Sequence, residues 1–291
     1  MPRTVIPLLL LLLASCRPNA QADYTADSLR LARAEWRTDS LDGFTLKRYN
    51  FGEGALFCSA QRLFMIELPQ DSPRRLIFAA DSATLTVDEM ARARGAAAAV
   101  NGSFFDMRTG LPVCYLRVEG RQLGENTPQT PESVNRKYYQ YATMALGSGG
   151  RPLLLVPDSN RLWEEGLPHP DVMTAGPMLL KDGAEVPQRD DRTFVTNRYN
   201  RTALGLRGDG SVLLLVADGL VRHKAEGLTL PELARLMRWL GCTDAINLDG
   251  GGSSTIYVRD ATPGGVLNHP TDNMRDDHDG QRRVSSAILV L

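Results

Sequence analysis

The sequence predicts a single α+β domain that is rich in strands, with a mixed β-sheet and few helices. From Ala55 onward, short apolar runs recur between Gly, Pro, Asp and Asn residues, and most of them are too short for helices. Only two segments carry both the spacing and the end signals of a helix. Because no repeat, low-complexity segment or linker divides residues 55–291, we predict one domain over that range.

The N-terminus predicts export and a lipid anchor. An apolar run from Val5 to Leu13 follows Arg3 and leads into Leu-Ala-Ser-Cys; it is too short to span a bilayer and is typical of a secretory signal. The ending resembles the bacterial lipoprotein signal, in which Cys16 becomes the lipidated first residue. We therefore predict a lipoprotein signal peptide over residues 1–16 and a protein anchored to the cell envelope. The alternatives are an ordinary signal peptide or a buried apolar segment.

The next segment, residues 17–54, is predicted to be a tether with one peripheral helix. It is polar and poor in aliphatic clusters, apart from the run "SLRLARAEW", which suffices for one short helix. We expect this segment to lie outside the main domain.

Three cysteines remain after the signal: Cys58, Cys114 and Cys242. In an oxidising compartment an odd number allows one disulfide at most and leaves at least one thiol free. The sequence does not choose the pair. No two of them have the spacing of a metal knuckle or a CxxC motif.

Two helices and one hairpin stand out within residues 55–291. The first helix is predicted from Thr86, a candidate N-cap, to Gly95, where it stops. The second, "TLPELARLMRWLG", has a T-x-x-E capping box, and the strand "DAINL" follows it at once. The clearest hairpin is "RTALGLRGDGSVLLLVADG", with Asp209-Gly210 at its turn.

The overall charge excludes one class of partner. Lys plus Arg number 33 and Asp plus Glu number 34, so no net field favours nucleic acid, and none is predicted as a partner. The 43% hydrophobic content is ample for a sizeable core.

Four polar stretches interrupt apolar strands in a similar manner. They are "VNGSFFD" (100–106), "TAGPMLLKDG" (174–183), "RTALG" (201–205) and "NLDGGGSS" (247–254). Each one alone is compatible with an ordinary turn. The glycine run is followed by no Gly-Lys-Ser/Thr and opens no G-x-G-x-x-G helix, so nucleotide binding is not predicted.

Taken together, these stretches resemble a known family. With "GLTLPELARLMRWLGCTDAINLDGGGSST", "VLNHPTDN" and "GQRRVSSAILVL", they are similar, in order over residues 55–291, to the phosphodiester glycosidase domain. The resemblance implies hydrolysis of a sugar from a sugar-1-phosphodiester, with the four stretches around one surface cavity. It also implies secretion or lipid anchoring, which are common among bacterial members.

The chain departs from the family pattern at two places. Many relatives carry His-Pro before the Arg-Thr pair and an Arg after the Asp-Gly of the following strand. Here those positions hold Tyr199-Asn200 and Leu220. A substrate-facing cation is therefore expected to be missing, although Arg222 is close enough in sequence to replace it.

Candidate catalytic residues follow from the chemistry of a C1–O bond. Its cleavage passes through an oxocarbenium-like state, which needs a carboxylate near C1, and Asp249 is the first choice. Asp106 and Asp218 are candidate partners, Asp218 having a turn role as the alternative. Because a phosphate leaving group is a weak base, a cation matters more than a strong general acid. Arg201 fits, since a guanidinium can hold phosphate with two parallel hydrogen bonds.

Candidate substrate-binding residues come from the same stretches. The glycine N–H groups are predicted to approach the phosphate as an anion-binding nest, with two serine hydroxyls as further donors. Phe105 is expected to floor a sugar site, and Phe104, Tyr138 and Tyr139 to serve in packing. Arg283 is a second-choice cation beside Arg282, with a solvated charge pair as the alternative. The full set is Asn101, Gly102, Phe105, Gly176, Thr202, Asn247, Gly250, Gly251, Gly252, Ser253, Ser254, Asn268 and Arg282.

The loop "NHPTDNMRDDHDG" is the one candidate for metal binding. Its spacing matches neither an EF-hand nor a zinc site, so we predict a solvated loop and no metal ligands. No cofactor is firmly implied, and calcium or another divalent ion stays open. The titratable residues of the loop are His269, Asp272, Asp276, Asp277, His278 and Asp279.

The function predicted from the sequence is that of an exported glycosidase. It would hydrolyse the C1–O bond of a small-molecule or glycan phosphodiester, release the sugar and leave a phosphomonoester. Two alternatives remain. One is a carbohydrate-binding envelope lipoprotein without turnover, which the departure at Leu220 keeps open. The other is a metal-dependent phosphodiesterase that cuts the P–O bond.

Overall fold

The computed structural model describes residues 24–128, 130, 136–188 and 193–291. The predicted signal peptide and Cys16 lie outside the described residues. The α-helices are α1 (Thr25–Ala32), α2 (Val87–Ala93), α3 (Thr193–Thr196) and α4 (Leu230–Trp239). The strands are β1 (Arg37–Leu41), β2 (Phe44–Leu56), β3 (Ser59–Leu68), β4 (Leu76–Leu85), β5 (Ala98–Asn101), β6 (Leu116–Val118), β7 (Arg121–Gly124), β8 (Ala142–Leu146), β9 (Pro152–Leu155), β10 (Val172–Ala175), β11 (Met178–Lys181), β12 (Ala184–Glu185), β13 (Arg201–Arg207), β14 (Val212–Ala217), β15 (Cys242–Asn247), β16 (Ile256–Val258) and β17 (Val284–Val290).

These strands form three sheets. The largest has the order β1-β2-β3-β14-β13-β15-β11-β12, the second β7-β6-β10-β8-β9, and the third β16-β5-β17-β4. The strand-rich α+β prediction is confirmed. Every named strand pair in the described part of the chain is antiparallel, whereas a mixed sheet was predicted.

Alternate side chains of the central strands point to opposite faces of the largest sheet, so that a core lies on each face. In β3, Phe64 and Ile66 point into a core shared with the two smaller sheets, whereas Leu63 and Met65 point to the opposite face. On that face α4 packs through an apolar stripe that includes Leu233. Helix α2 covers a smaller cluster on the outer side of the four-stranded sheet. The large sheet is therefore apolar on both faces and rigid where it carries functional groups.

Both predicted helices are present with their caps. In α2, the Thr86 side chain accepts from the Glu89 N–H, and the Glu89 carboxylate accepts from the Thr86 N–H. Helix α4 has the same reciprocal capping box between Thr229 and Glu232. Strand β15 follows α4, and Asp209-Gly210 turns the chain between β13 and β14, as predicted.

The N-terminal boundary differs from the prediction. Helix α1 lies in the segment predicted to contain one, but β1 and β2 after it belong to the largest sheet. The predicted boundary between residues 54 and 55 falls inside β2. The strand could not be predicted because only one of its faces is apolar: Phe44 and Leu46 are buried, whereas Thr45, Lys47 and Arg48 are partly exposed.

The cysteines and the helices bear on two further expectations, a disulfide and a membrane span. Cys114 and Cys242 are buried free thiols, so no disulfide joins any two of the three cysteines that follow the signal. None of the described helices is long and apolar enough to cross a membrane.

Candidate active site

A cavity of about 430 Å³ lies where β15 ends. Its walls come from five segments far apart in sequence: the loop after β5, the 3-10 turn at Tyr138–Gln140, α3, the start of β13, and the glycine run after β15. The lining residues are Phe104, Tyr138, Tyr139, Thr193, Phe194, Tyr199, Arg201, Asp249, Gly250 and Gly251.

Asp249 is held in place through its backbone. Its N–H donates to Gly102 O at 3.1 Å, and its carbonyl accepts from Asn101 Nδ2 at 2.7 Å. Its Oδ1 accepts from the Gly250 N–H at 2.9 Å. The carboxylate is thus fixed in the cavity wall by neighbours on β5 and on its own loop.

Partial burial changes the acidity of this carboxylate. Desolvation raises the pKa of Asp249 to about 6, against the lowering effect of hydrogen bonds from Ser253 and Gly250 and of the Arg282 charge. Asp249 is therefore a group that changes charge close to neutral pH, as catalytic carboxyls often do.

The raised pKa makes a prediction for stability. The pKa of this carboxyl is higher in the folded protein than in the unfolded chain. Its protonated form therefore stabilises the fold below about pH 4, and this contribution is lost as the pH rises through about 6. Asp249→Asn should therefore be more stable than wild type at pH 7.5, and the difference should disappear at pH 4. At about 1.4 kcal/mol per pKa unit, reduced for partial exposure, the gain is on the order of 1 to 2 kcal/mol. Thermal unfolding at both pH values measures it, and a variant less stable at pH 7.5 would contradict it.

Arg201 is a buried cation in the wall of the same cavity. Only 1% of it is exposed, and it donates from Nε to Leu228 O at 2.8 Å and from Nη2 to Phe194 O at 2.7 Å and Asn197 O at 3.1 Å. No carboxylate among the described residues pairs with it. Burial lowers its pKa to about 10, so it remains charged at neutral pH. A buried charge without a counter-ion favours binding of an anion.

The glycine run has a different role from the one predicted. The Gly250 N–H donates to Asp249 Oδ1, and the Gly251 N–H donates to Asn200 O at 2.9 Å. These two amides are therefore consumed within the protein, and the predicted nest of free N–H groups at them is wrong. Gly250 is required instead for close approach, because a Cβ there would lie 2.8 Å from the backbone oxygen of Asn200, whereas one on Gly252 would meet only side-chain ends, 2.5 Å from Arg282 Nη2. Gly251 has a φ of +60°.

Several predicted substrate-binding residues lie behind the cavity wall. Thr202 Oγ1 donates to Asn101 Oδ1 at 2.7 Å and is hydrogen-bonded to Ser254 Oγ at 3.2 Å, and all three side chains are buried. Asn247 Nδ2 donates to Gly176 O at 2.8 Å. These groups position β5, β13 and the loop that carries Asp249, and none of them is a lining residue.

Asp218 and Asn268 form a second buried support. Asp218 pairs with Arg62 at 3.2 Å and accepts from Asn268 Nδ2 at 3.1 Å. Burial raises its pKa, although the Arg62 charge opposes the rise. Asn268 Nδ2 also donates to Ser254 O at 2.9 Å. Asp218 therefore supports the loop around Ser254 and does not line the cavity.

Asp106 and Phe105 also lie outside the lining. The Asp106 carboxylate accepts from the N–H groups of Arg108 at 2.8 Å and Thr109 at 3.1 Å, and these backbone bonds lower its pKa. This is a turn role. Phe105 packs with the α2 cluster, whereas Phe104, expected only to pack, lines the cavity.

Of the three other arginines considered as substrate-binding cations, only Arg282 lies near Asp249. Arg282 is close to Asp249: it pairs with Asp272 and reaches Ser253 Oγ from Nη1 at 3.5 Å. Arg283 pairs with Glu89 on α2 at 2.9 Å. Arg222 is exposed and is not a lining residue, so the cation expected near Leu220 is not replaced by it.

The loop after Asn268 is ionic and carries no metal centre in the described part of the chain. Asp276 pairs with Arg62 at 2.8 Å, Lys224 at 3.2 Å and His269, and the bond to Arg62 is the main reason its pKa is lowered. Within the described ranges, no group of three or more His, Cys, Asp or Glu side chains could hold a metal ion.

A buried ion pair holds the tyrosine side of the cavity. Arg136 and Glu164 lie 2.6 Å apart with fully buried side chains, and Arg136 Nη1 also donates to Gln140 O at 3.2 Å. Glu164 Oε1 accepts from Thr143 at 2.6 Å and Thr174 at 2.7 Å. The pair thus fixes the 3-10 turn that carries Tyr138 and Tyr139 to strands β8 and β10.

Sequence reasoning missed three lining residues, Thr193, Phe194 and Tyr199. One signal could have found two of them: both rings pack on Arg201, with centroids 5.3 Å and 5.4 Å from its Cζ, and both precede it within seven positions. Aromatic residues just before a candidate anion-binding arginine are natural partners for its guanidinium.

Comparison with known proteins identifies relatives of this chain. Residues 94–291 match the phosphodiester glycosidase family. N-acetylglucosamine-1-phosphodiester alpha-N-acetylglucosaminidase of Bos taurus is 26% identical over 219 residues, which cover 70% of this chain and 38% of that protein. The Mus musculus protein of the same name is 36% identical over 98 residues, 33% of this chain and 18% of that protein. The chain spans less than two fifths of the length of both relatives.

A solved structure shares the fold. The zebrafish N-acetylglucosamine-1-phosphodiester alpha-N-acetylglucosaminidase catalytic domain, auto-inhibited by its pro-peptide, superposes with a TM-score of 0.63. The match covers 94% of this chain and 96% of the zebrafish chain at 16% identity. Nearly the whole of both chains therefore shares one fold.

Proposed function

We propose that this chain, which belongs to the phosphodiester glycosidase family, hydrolyses the C1–O bond of a sugar-1-phosphodiester. The products are the free sugar and a phosphomonoester. One observation carries the proposal: a buried cation without a carboxylate partner among the described residues, Arg201, lines the same cavity as a carboxyl of raised pKa, Asp249. The first charge suits a phosphodiester anion, and the second suits the carbon that becomes positive.

The reaction steps follow from the separate roles of Arg201 and Asp249. The substrate phosphate pairs with Arg201, and C1 lies by Asp249. As the C1–O bond breaks, the electron pair moves to the phosphate oxygen, and Arg201 stabilises the growing charge. The Asp249 carboxylate stabilises the oxocarbenium-like carbon. Water then supplies OH to C1 and a proton to the products.

The bond that breaks distinguishes this proposal from its alternatives. The experiment incubates the purified protein with alkyl phosphodiesters of several sugars in H₂¹⁸O; N-acetylglucosamine comes first because the relatives' names specify it. We expect free sugar and an alkyl phosphate without ¹⁸O, measured by mass spectrometry. Incorporation of ¹⁸O into the phosphate, together with loss of activity when a chelator is added, would indicate a metal-dependent phosphodiesterase. Binding without turnover would indicate a carbohydrate-binding protein.

Arg201 should matter more for a charged substrate than for a neutral one. Arg201→Ala should lower kcat/KM on the phosphodiester by about tenfold to a hundredfold, the cost of one charge-assisted contact, and affect a neutral aryl glycoside of the same sugar much less. Arg201→Lys should recover only part, because one ammonium cannot keep the three carbonyl bonds of the guanidinium and also bind the phosphate. Steady-state kinetics on both substrates measure the difference.

The control for the structural role of Arg201 lies on the same strand. Arg207 also donates to a backbone carbonyl, Leu240 O at 2.8 Å, and pairs with Glu67 at 2.6 Å. Arg207→Ala removes a supporting arginine away from the cavity and should leave the ratio of the two substrates unchanged. Equal losses on both substrates for Arg201→Ala would show that Arg201 supports the fold and not the phosphate.

We further propose that the protein is exported and anchored through Cys16. The support is the apolar run that ends in Leu-Ala-Ser-Cys. Wild-type protein should sediment with membranes and carry a fatty-acid label, whereas Cys16→Ser should lose both, because several acyl chains retain a protein strongly. Cys242→Ser, at a free thiol on β15, is the control and should keep both. Native protein without the label would overturn the anchor.

A further inference from the structure

The cavity carries five aromatic rings, which we call the aromatic wall: Phe104, Tyr138, Tyr139, Phe194 and Tyr199. We propose that this wall binds an apolar group on the leaving phosphate, so that the substrate is a sugar-1-phosphodiester of an apolar alcohol. The proposal rests on the proposed function and adds the class of the second ester.

Four of the five rings form one connected surface, and Arg201 links Tyr199 to it. Phe104 contacts Tyr139 with ring centroids 4.9 Å apart and Phe194 at 5.9 Å, and Phe194 contacts Tyr138 at 6.4 Å. Each contact is tilted or edge-to-face, the arrangements that aromatic pairs prefer. A wall built from mutually packed rings is already in place before a ligand arrives, so little ordering cost opposes binding.

Arg201 sets where the phosphate lies relative to this wall. Its guanidinium is in contact with the rings of Phe194 and Tyr199, 5.3 Å and 5.4 Å away. A phosphate held by Arg201 therefore places its second ester beside those rings. The polar groups near Asp249 are elsewhere: Ser253 reaches its carboxylate by a hydrogen bond, and Arg282 acts on it by charge. The Asp249 side of the cavity is therefore polar, and the side around Arg201 is aromatic.

A second sugar would be a poor occupant of the wall. Sugar hydroxyls that lose water need hydrogen-bond partners. Thr193 is the one lining residue with an aliphatic hydroxyl among those described, and the buried groups of Asn101, Thr202 and Ser254 bond to one another behind the wall. Tyr138 Oη is bonded to Gln188 Oε1. An apolar group needs no such partners, and a cavity of about 430 Å³ is within the range of small-molecule sites.

The test compares two phosphodiesters of the same sugar whose second alcohols share a six-membered ring that carries the CH₂–O ester group. One alcohol is cyclohexylmethanol, and the other is the 6-hydroxyl of a methyl hexopyranoside, which adds a ring oxygen, three hydroxyls and a methoxy group. We expect kcat/KM at least tenfold higher for the cyclohexylmethyl ester. Tenfold corresponds to about 1.4 kcal/mol, which the burial of roughly 55 Å² of apolar surface supplies. A methyl ester gives the reference rate without wall contacts.

A variant assigns the preference to the wall. Tyr199→Ala should lower the cyclohexylmethyl-to-methyl ratio of kcat/KM at least fivefold. Tyr49→Ala, which removes a half-buried ring packed on Trp36 and Phe51 away from the cavity, is the matched control and should keep the ratio. The wild-type comparison needs no variant to fold.

Each outcome decides between the claims. Turnover with equal or better rates on the sugar ester would overturn the apolar alcohol while leaving the proposed function intact. If Tyr199→Ala leaves the cyclohexylmethyl-to-methyl ratio of kcat/KM unchanged, the aromatic wall is not the site that binds the apolar alcohol. No release of sugar from any of the phosphodiesters would overturn the proposed function and this inference together.

Discussion

Asp249→Asn is expected to lower kcat on a sugar-1-phosphodiester by at least about a thousandfold, the scale lost when a central catalytic group is removed. Asp249 is the only carboxyl among the described lining residues of the cavity. The amide keeps the shape and can still accept from the Gly250 N–H, but it cannot stabilise a positive carbon. Release of free sugar measures kcat, and circular dichroism confirms the fold.

A matched control uses another carboxyl that the sequence suggested. Asp106 accepts two backbone N–H groups in a turn and does not line the cavity. Asp106→Asn should therefore change kcat by less than about threefold. Near wild-type turnover in Asp249→Asn would make Asp249 a turn residue, and a large loss in Asp106→Asn would return that carboxyl to the site.

The position of Asp249 could be predicted because its cues are local. The capping box at Thr229 and Glu232 fixes where α4 begins, and the strand after it delivers the glycine run to a strand end. Strand ends and loops on a rigid scaffold often carry functional groups. Arg201 was found from the chemistry of phosphate recognition.

The aromatic wall could not be predicted because it depends on distant contacts. Phe104, Tyr138 and Phe194 come from three segments that meet only in the folded chain. Choosing Phe105 over Phe104 shows the same limit, since neighbouring residues in extended chain point to opposite sides. One faces the cavity and the other faces the α2 cluster.

The roles of the glycine amides also depend on tertiary structure. The Gly251 N–H is consumed because Asn200 O lies 2.9 Å away, at the entry to β13. Sequence pattern shows that a glycine run is costly and needs a reason. It does not show whether that reason is a ligand or a neighbouring backbone.

The second large effect is expected at the buried ion pair. Glu164→Ala leaves the Arg136 guanidinium fully buried without its counter-ion, which costs about 3 to 5 kcal/mol. It also removes the acceptor shared by Thr143 and Thr174. In a domain of this size the melting temperature should fall by roughly 10 °C or more. Thermal and urea unfolding measure the loss.

An exposed ion pair serves as the control, because it shows how much stability is lost when a charge partner is removed without burial of the other charge. Arg74 and Asp42 lie 2.7 Å apart, but 83% of the Asp42 side chain is exposed, so Asp42→Ala should cost less than about 1 kcal/mol. Replacing both buried partners, Arg136→Met with Glu164→Leu, should recover part of the loss because no charge is then stranded. If Glu164→Ala costs no more than Asp42→Ala, the pair does not hold the turn of Tyr138 and Tyr139. The tyrosine side of the aromatic wall would then have to be stabilised by other contacts, among them the ring contacts and the bond between Tyr138 Oη and Gln188 Oε1.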